Sequence, residues 1–211
     1  MSDELIAELV ADLTPVTPVR SPWTTFGLVL VGGAAWVAVA TFATGPMRPG
    51  AWAAVGSSLL VAAEALAGVV AVVLALVGAT QLATPGARLG LRALALPLAG
   101  LGAWVGVLGA EWIAPPQVFS LVGKRPHCSV ETVAFGIPVL LGGLWLLRRH
   151  SPASPWAVGL ALGLGAAAIP AALMQWACMY DPVHALRNHL APGLWLALLG
   201  VWAARRLLVR A

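Results

Sequence analysis

The chain has 211 residues, 60% of them apolar and only 9% charged, with a formal net charge of +4 and a mean hydropathy of +0.91. A soluble domain carries roughly 45–50% apolar and about 25% charged residues, so too little polar surface exists here to coat a water-soluble globule. This excludes a soluble enzyme, a disordered chain and a nucleic-acid binder working through a basic face, and it defines an integral membrane protein. The two cysteines are too few for a disulfide scaffold, but enough for one bridge or part of one metal site.

Residues 1–22 precede the first long apolar run. They carry four acidic residues and one basic residue, the wrong balance for a cleaved signal peptide, so the leader is expected to stay attached. Leu5, Ile6, Leu9, Val10 and Leu13 fall on one helical face, with Asp3, Glu4, Glu8 and Asp12 opposite. Ser2 can cap this short amphipathic helix and Thr14-Pro15 ends it. About twelve residues is marginal for a lone helix in water, so it needs a surface to pack on. Membrane-surface helices present basic faces to anionic lipid, and this one is acidic. Val16–Pro22 reads as a stiff spacer, so the acidic helix is expected to meet a basic, apolar-grooved partner rather than lipid. Packing on the chain's own loops is the alternative.

A bilayer core about 30 Å thick takes roughly 20 apolar residues as a helix. Six spans are predicted: 23–44, 51–79, 91–112, 129–147, 156–178 and about 189–208. The second is overlong and is expected to tilt or extend past the lipid. Pro97, Pro138 and Pro170 are expected to kink their spans, their freed carbonyls being satisfied by neighbours. Gly102/Gly106 and Gly159/Gly163 allow close helix approach within the bundle. Trp23, Trp52, Trp112, Trp156 and Trp176 read as interface anchors. With six spans, eight of the twelve Lys and Arg residues share the side of both termini, which the positive-inside rule makes cytoplasmic.

That topology places Cys128 and Cys178, with His127, His184 and His189, near the outer boundary. Three chemistries fit this set. The cysteines can form a disulfide, bind a soft metal ion with His127 and His184 or His189, or act as oxidant-sensitive thiols that alter the packing of spans four and five. Unrelated loop residues are the plain alternative. Glu64 falls near the middle of span two with no charged residue at matching depth, and reads as a neutral carboxyl hydrogen-bonded within the bundle.

The opening Ser2–Val16 resembles the start of the NrsF-like negative regulators of extracytoplasmic-function sigma factors. Cys128 followed by Ile137-Pro138, and Cys178-Met179-Tyr180-Asp181-Pro182 before the last span, resemble that family's two cysteine segments. The family's usual Cys-Pro-Glu-Asp run is Cys178-Met179-Tyr180-Asp181 here, followed by histidine-rich sequence. The resemblance implies an all-α polytopic membrane bundle of six helices in the bacterial inner membrane. Residues 1–22 would form a cytoplasmic sigma-binding helix and linker, and residues 23–211 the membrane domain. It further implies a regulator rather than an enzyme, without direct nucleic-acid contact. Leu5, Ile6, Leu9 and Leu13 would help hold an extracytoplasmic-function sigma factor, and Cys128 and Cys178 would respond to an envelope, redox, metal or light-type stress. No cofactor is required, a soft metal ion at the outer cluster excepted. The rival expectation is a small redox or metal-handling membrane protein that uses the same Cys/His cluster.

Overall fold

A computed structural model describes residues Glu4, Ala7, Val10, Ala11, 18–87 and 89–208. Within the leader Glu4, Ala7, Val10 and Ala11 are helical, Pro18–Ser21 are not, and Val10 is exposed. Leu5, Ile6, Leu9 and Leu13 lie outside the described residues, as do the acidic positions Asp3, Glu8 and Asp12.

Helix α1 spans Pro22–Thr44, started by Ser21, whose side chain accepts from the Thr24 N–H at 3.1 Å, and by Pro22 in the first turn. After a loop come α2, Ala51–Ser57, and α3, Leu59–Ala83. A 3₁₀ turn, Gly90–Leu94, leads into α4, Ala95–Ile113. Then follow α5, Cys128–Leu147, and α6, Pro155–Ala177. The short turn α7, Pro182–His184, runs through a π-helical segment, Ala185–Leu190, toward α8, Gly193–Leu207. Among the described residues there is no strand, only an isolated bridge between Ser120 and Tyr180.

Five of these helices are long and apolar enough to cross a membrane. Large apolar side chains such as Val31, Val39, Leu66 and Leu98 point outward and are more than half exposed, as lipid-facing surface requires. Trp23, Trp52 and Trp112 stand exposed at helix ends. Two expected spans differ. The second is not one long helix, because Ser58 adopts an extended backbone, ends α2 and caps α3 by accepting from the Val61 N–H at 3.4 Å. At the C-terminus, α8 has 15 residues, about 22 Å of helix, which is shorter than the hydrocarbon core. The π-helical segment and Pro192 break the run before it.

Helix α6 is the axis of the bundle, with nearly every residue from Ala157 to Ala171 buried. It can be surrounded because its inward positions are Gly and Ala, and in lipid such small residues drive association by close backbone packing. Gly159 and Gly163 do so directly against α8: a Cβ at Gly163 would sit 2.5 Å from the Leu196 carbonyl oxygen, and one at Gly159 would overlap the Gly200 carbonyl. Pairing of 159 with 200 and of 163 with 196 makes α8 antiparallel to α6. Gly102 and Gly106 face open space instead and pack on nothing described. Of the prolines, Pro97 lies in the first turn of α4, where no N–H is needed, so it ends no helix. Pro138 does lie within α5, and Trp36 Nε1 of α1 donates to the nearby Phe135 carbonyl at 3.0 Å.

Arg125 locks the end of α1 to the start of α5. It is buried, and its guanidinium donates to the carbonyls of Thr41 (3.0 Å), Gly45 (2.7 Å) and Pro46 (3.1 Å) and to Thr44 Oγ1 (3.0 Å), while pairing with Glu131 at 3.3 Å. This is the one ion pair among the described residues. Arg125→Ala strands Glu131 and four acceptors, and is expected to cost about 3 kcal/mol. Thermal unfolding of the full chain in detergent measures this, and Arg125→Lys recovers little of it because an ammonium cannot serve the fork of acceptors.

Candidate functional site

The Arg125 clamp fixes which helix ends lie together. The end of α1, the start of α5, the end of α6 and the α7 turn form one face of the bundle, here the cysteine face. The start of α1, the end of α5 and the end of α8 form the opposite, terminal face.

Cys128 is the first residue of α5 and Cys178 the residue that closes α6, where its N–H donates to the Met174 carbonyl at 2.8 Å. Two residues later Tyr180 leads to Asp181, whose side chain accepts from the N–H groups of Val183 (2.9 Å) and His184 (3.2 Å) and so starts the α7 turn. That turn aims His184 back at both sulfurs: Nε2 lies 3.3 Å from Cys128 Sγ and 3.5 Å from Cys178 Sγ. The widened π turn then brings His189, five residues on, beside it, the two rings meeting edge to face at 5.1 Å. One ligand atom from each of Cys128, Cys178, His184 and His189 falls within 4.8 Å of every other.

The other face of His184 is held by Asn188, whose Nδ2 lies 3.0 Å from His184 Nδ1 and 3.2 Å from its carbonyl oxygen, while Ser129 Oγ donates to Asn188 Oδ1 at 3.1 Å. With the amide so placed, Nδ1 accepts and Nε2 carries the proton toward the sulfurs. The reverse tautomer leaves Nε2 free as a metal ligand; it takes a rotated Asn188 amide and a turned Ser129 hydroxyl and gives up the Asn188 bond to the His184 carbonyl. Both cysteines are free thiols and almost fully buried.

His189 is 1% exposed, and neither ring nitrogen has a hydrogen-bond partner. An imidazole buried without a partner is costly, and a metal ion would satisfy it. Two thiolates and two imidazoles are a donor set that tetrahedral zinc and softer ions take. Bonds of about 2.0–2.3 Å put tetrahedral ligand atoms about 3.3–3.8 Å apart; His184 Nε2 already stands at that distance from both sulfurs, so closure around an ion shortens only the wider separations, by at most about 1 Å. The residues therefore fit a soft metal ion. His127, expected in this set, caps α5 from an exposed position and is not part of it.

A second polar group lies beside the first. Glu64 and Glu111 are both buried; because α3 begins only at Leu59, Glu64 sits near the cysteine face rather than at mid-membrane, and it does have charged companions. Glu111 and Arg48 lie within electrostatic reach of it, and the Glu111 carboxylate oxygens and the Tyr180 hydroxyl are buried without a hydrogen-bond partner among the described residues. The Tyr180 ring lies under the Arg48 guanidinium at 5.5 Å, and burial pushes its hydroxyl above the ordinary phenol range, keeping it a donor. Sequence reasoning missed Glu111, Tyr180, Asn188 and Arg125 as partners. The only advance signal was the concentration of polar residues at predicted outer boundaries.

The described residues form an all-helical membrane-type bundle with a buried two-thiol, two-imidazole centre at one face and the start of α1 and the end of α8 at the other. Residues 9–209 match the family described as "Negative regulator of sigma F", and the chain belongs to that family. The Anti-sigma-F factor NrsF of Caulobacter vibrioides (strain NA1000 / CB15N) is 37% identical over 82 residues, a stretch spanning 38% of this chain and 38% of that relative. No solved structure matches.

Proposed function

We propose that the chain is an inner-membrane anti-sigma factor whose leader, residues 1–22, holds an extracytoplasmic-function sigma factor, and whose membrane domain, residues 23–211, releases it when the cysteine centre binds a soft metal ion. Leu5, Ile6, Leu9, Val10 and Leu13 supply the apolar face for the sigma factor, and the acidic face suits a surface that otherwise binds nucleic acid. The observation that carries the sensing half is the convergence of Cys128, Cys178, His184 and His189 within 4.8 Å, at the face remote from the leader. Three separate elements contribute those donors, so drawing them inward shifts α5, α6 and the segment before α8 against one another. Helix α5 then carries the shift to its far end, where Arg148–His150 line a cavity together with Pro18–Arg20. Both termini face the cytoplasm and the cysteine centre faces outward in this reading.

The test is co-purification of the full chain with the candidate sigma factor. Leu5, Leu9 and Leu13 changed together to Asp abolish capture, while Cys128→Ser leaves capture intact and makes it insensitive to added Cd²⁺. Undiminished capture by the triple variant would sink the leader assignment. Release by diamide but never by a metal ion would make the centre a dithiol oxidised to a disulfide, the two thiols giving two electrons and two protons to the oxidant.

A further inference from the structure

Away from the cysteine centre, helices α1 and α5 do not close against each other at their terminal-face halves. Between them runs an open apolar groove of about 390 Å³, lined by Gly32, Gly33, Gly142 and Gly143 and by Trp36 and Trp145. Gly32 and Gly142 are open, since a Cβ at either would meet nothing within 4 Å, and Leu28, Trp36 and Trp145 are roughly half exposed along the groove. On α1 the groove runs from Leu28 to Trp36, about 12 Å of helix axis, close to the depth of one leaflet's hydrocarbon.

The groove ends in a second, polar cavity of about 210 Å³ lined by Arg20, Arg148, Arg149 and His150, with Arg20, Trp145 and Leu146 common to both. None of these arginines pairs with a carboxylate among the described residues. His150 is 5% exposed and lines this cavity with both ring nitrogens unpartnered. Arg148 lies over the Trp145 ring at 4.9 Å, which joins the basic pocket to the apolar groove. A glycine-lined slot close to one leaflet deep, capped by three guanidinium groups and a buried imidazole that are unpaired among the described residues, matches a molecule with an acyl chain and an anionic head.

We propose that this composite site binds one anionic phospholipid, its phosphate held by Arg20, Arg148, Arg149 and His150 and one acyl chain seated over Gly32 and Gly142. Pro18 and Val19 line the headgroup pocket as well, so the lipid pins the root of the leader to the end of α5. The inference rests on α1 and α5 alone and stands whether or not the cysteine centre takes a metal.

The test uses the full chain, purified in a non-ionic detergent and examined by native mass spectrometry with phosphatidylglycerol, phosphatidylcholine and inorganic phosphate as probes. One phosphatidylglycerol is retained at least tenfold over phosphatidylcholine, and millimolar phosphate does not displace it. Changing Arg148 and Arg149 together to Gln weakens retention about thirtyfold, from roughly a fivefold loss per arginine. Gly142→Leu places its Cβ in open space, projects the side chain into the slot and weakens retention too, while the melting temperature and monodispersity of the protein stay unchanged. Equal retention of the neutral lipid overturns the proposal, as does displacement by free phosphate, which would mark a simple anion pocket. A full chain with Asp3, Glu4, Glu8 and Asp12 neutralised supplies the remaining arm. If phosphatidylglycerol binds only that variant, the acidic leader occupies the pocket and the lipid assignment is wrong.

Discussion

Gly163→Leu is expected to abolish the folded bundle. A Cβ at position 163 would lie 2.5 Å from the Leu196 carbonyl oxygen and 2.7 Å from the Ala197 Cα, both backbone atoms of α8 that no rotamer change can move aside. The whole of α8 must therefore shift away from α6. Between apolar helices in lipid, van der Waals packing is the main attraction, and separating the backbones loses it along the full contact. Overpacked cores typically lose 1–3 kcal/mol, and a clash with backbone in the most buried helix should reach or exceed about 3 kcal/mol. Size-exclusion profiles and thermal unfolding in detergent would measure this. Gly102→Leu is the matched control: the same change at a glycine with open space around it should leave both unaltered. If the two variants behave alike, the α6–α8 interface is not what holds the bundle.

Removing one donor from the cysteine centre is expected to weaken soft-metal binding by about a hundredfold or more, since structural sites of four donors hold zinc with about 10–16 kcal/mol in all. Cys178→Ser and His184→Ala should both do so, read by the sulfur-to-metal charge-transfer absorbance of added Co²⁺ on the full chain. Asn188→Ala touches no donor atom but frees the His184 ring, and is expected to lose about 10–100-fold, the usual cost of losing an outer partner of a ligand. His127→Ala should change nothing, because its side chain lies outside the cluster. Binding that requires the cysteines but ignores His184 and His189 would contradict the four-donor centre. Both sulfurs are buried, so labelling by thiol reagents proceeds only as fast as the α7 turn opens locally, and protection of both cysteines by Cd²⁺ is a second readout.

Much of the architecture was legible beforehand because hydropathy is a bulk property: α1, α4, α5 and α6 match the expected spans within a few residues at each end. The boundary of α3 was not, since a single serine in extended conformation divides a run whose apolarity is unbroken. Glu64 was misplaced for the same reason. Once α3 begins at Leu59 its carboxylate rises to the cysteine face and meets Glu111 from α4, forty-seven positions away in the chain. Of the four residues in the cysteine centre all had been marked by sidedness, but His127 had been marked with them. Sidedness restricts a residue to a slab of membrane, whereas a site demands a common point, and only the direction of the α7 turn separates His184 and His189 from His127.

The amino-acid sequence on its own settled that this is a helical membrane protein, because too few charged residues exist to face water whatever the chain order in space. It also confined both thiols to one boundary, given the count of crossings. Tertiary structure alone decided that two sulfurs and two imidazoles share one centre, that Arg125 ties α1 to α5, and that glycine faces divide between those meeting backbone and those open to lipid. Such facts depend on angles between helices, and those are set by contacts among residues far apart in the chain.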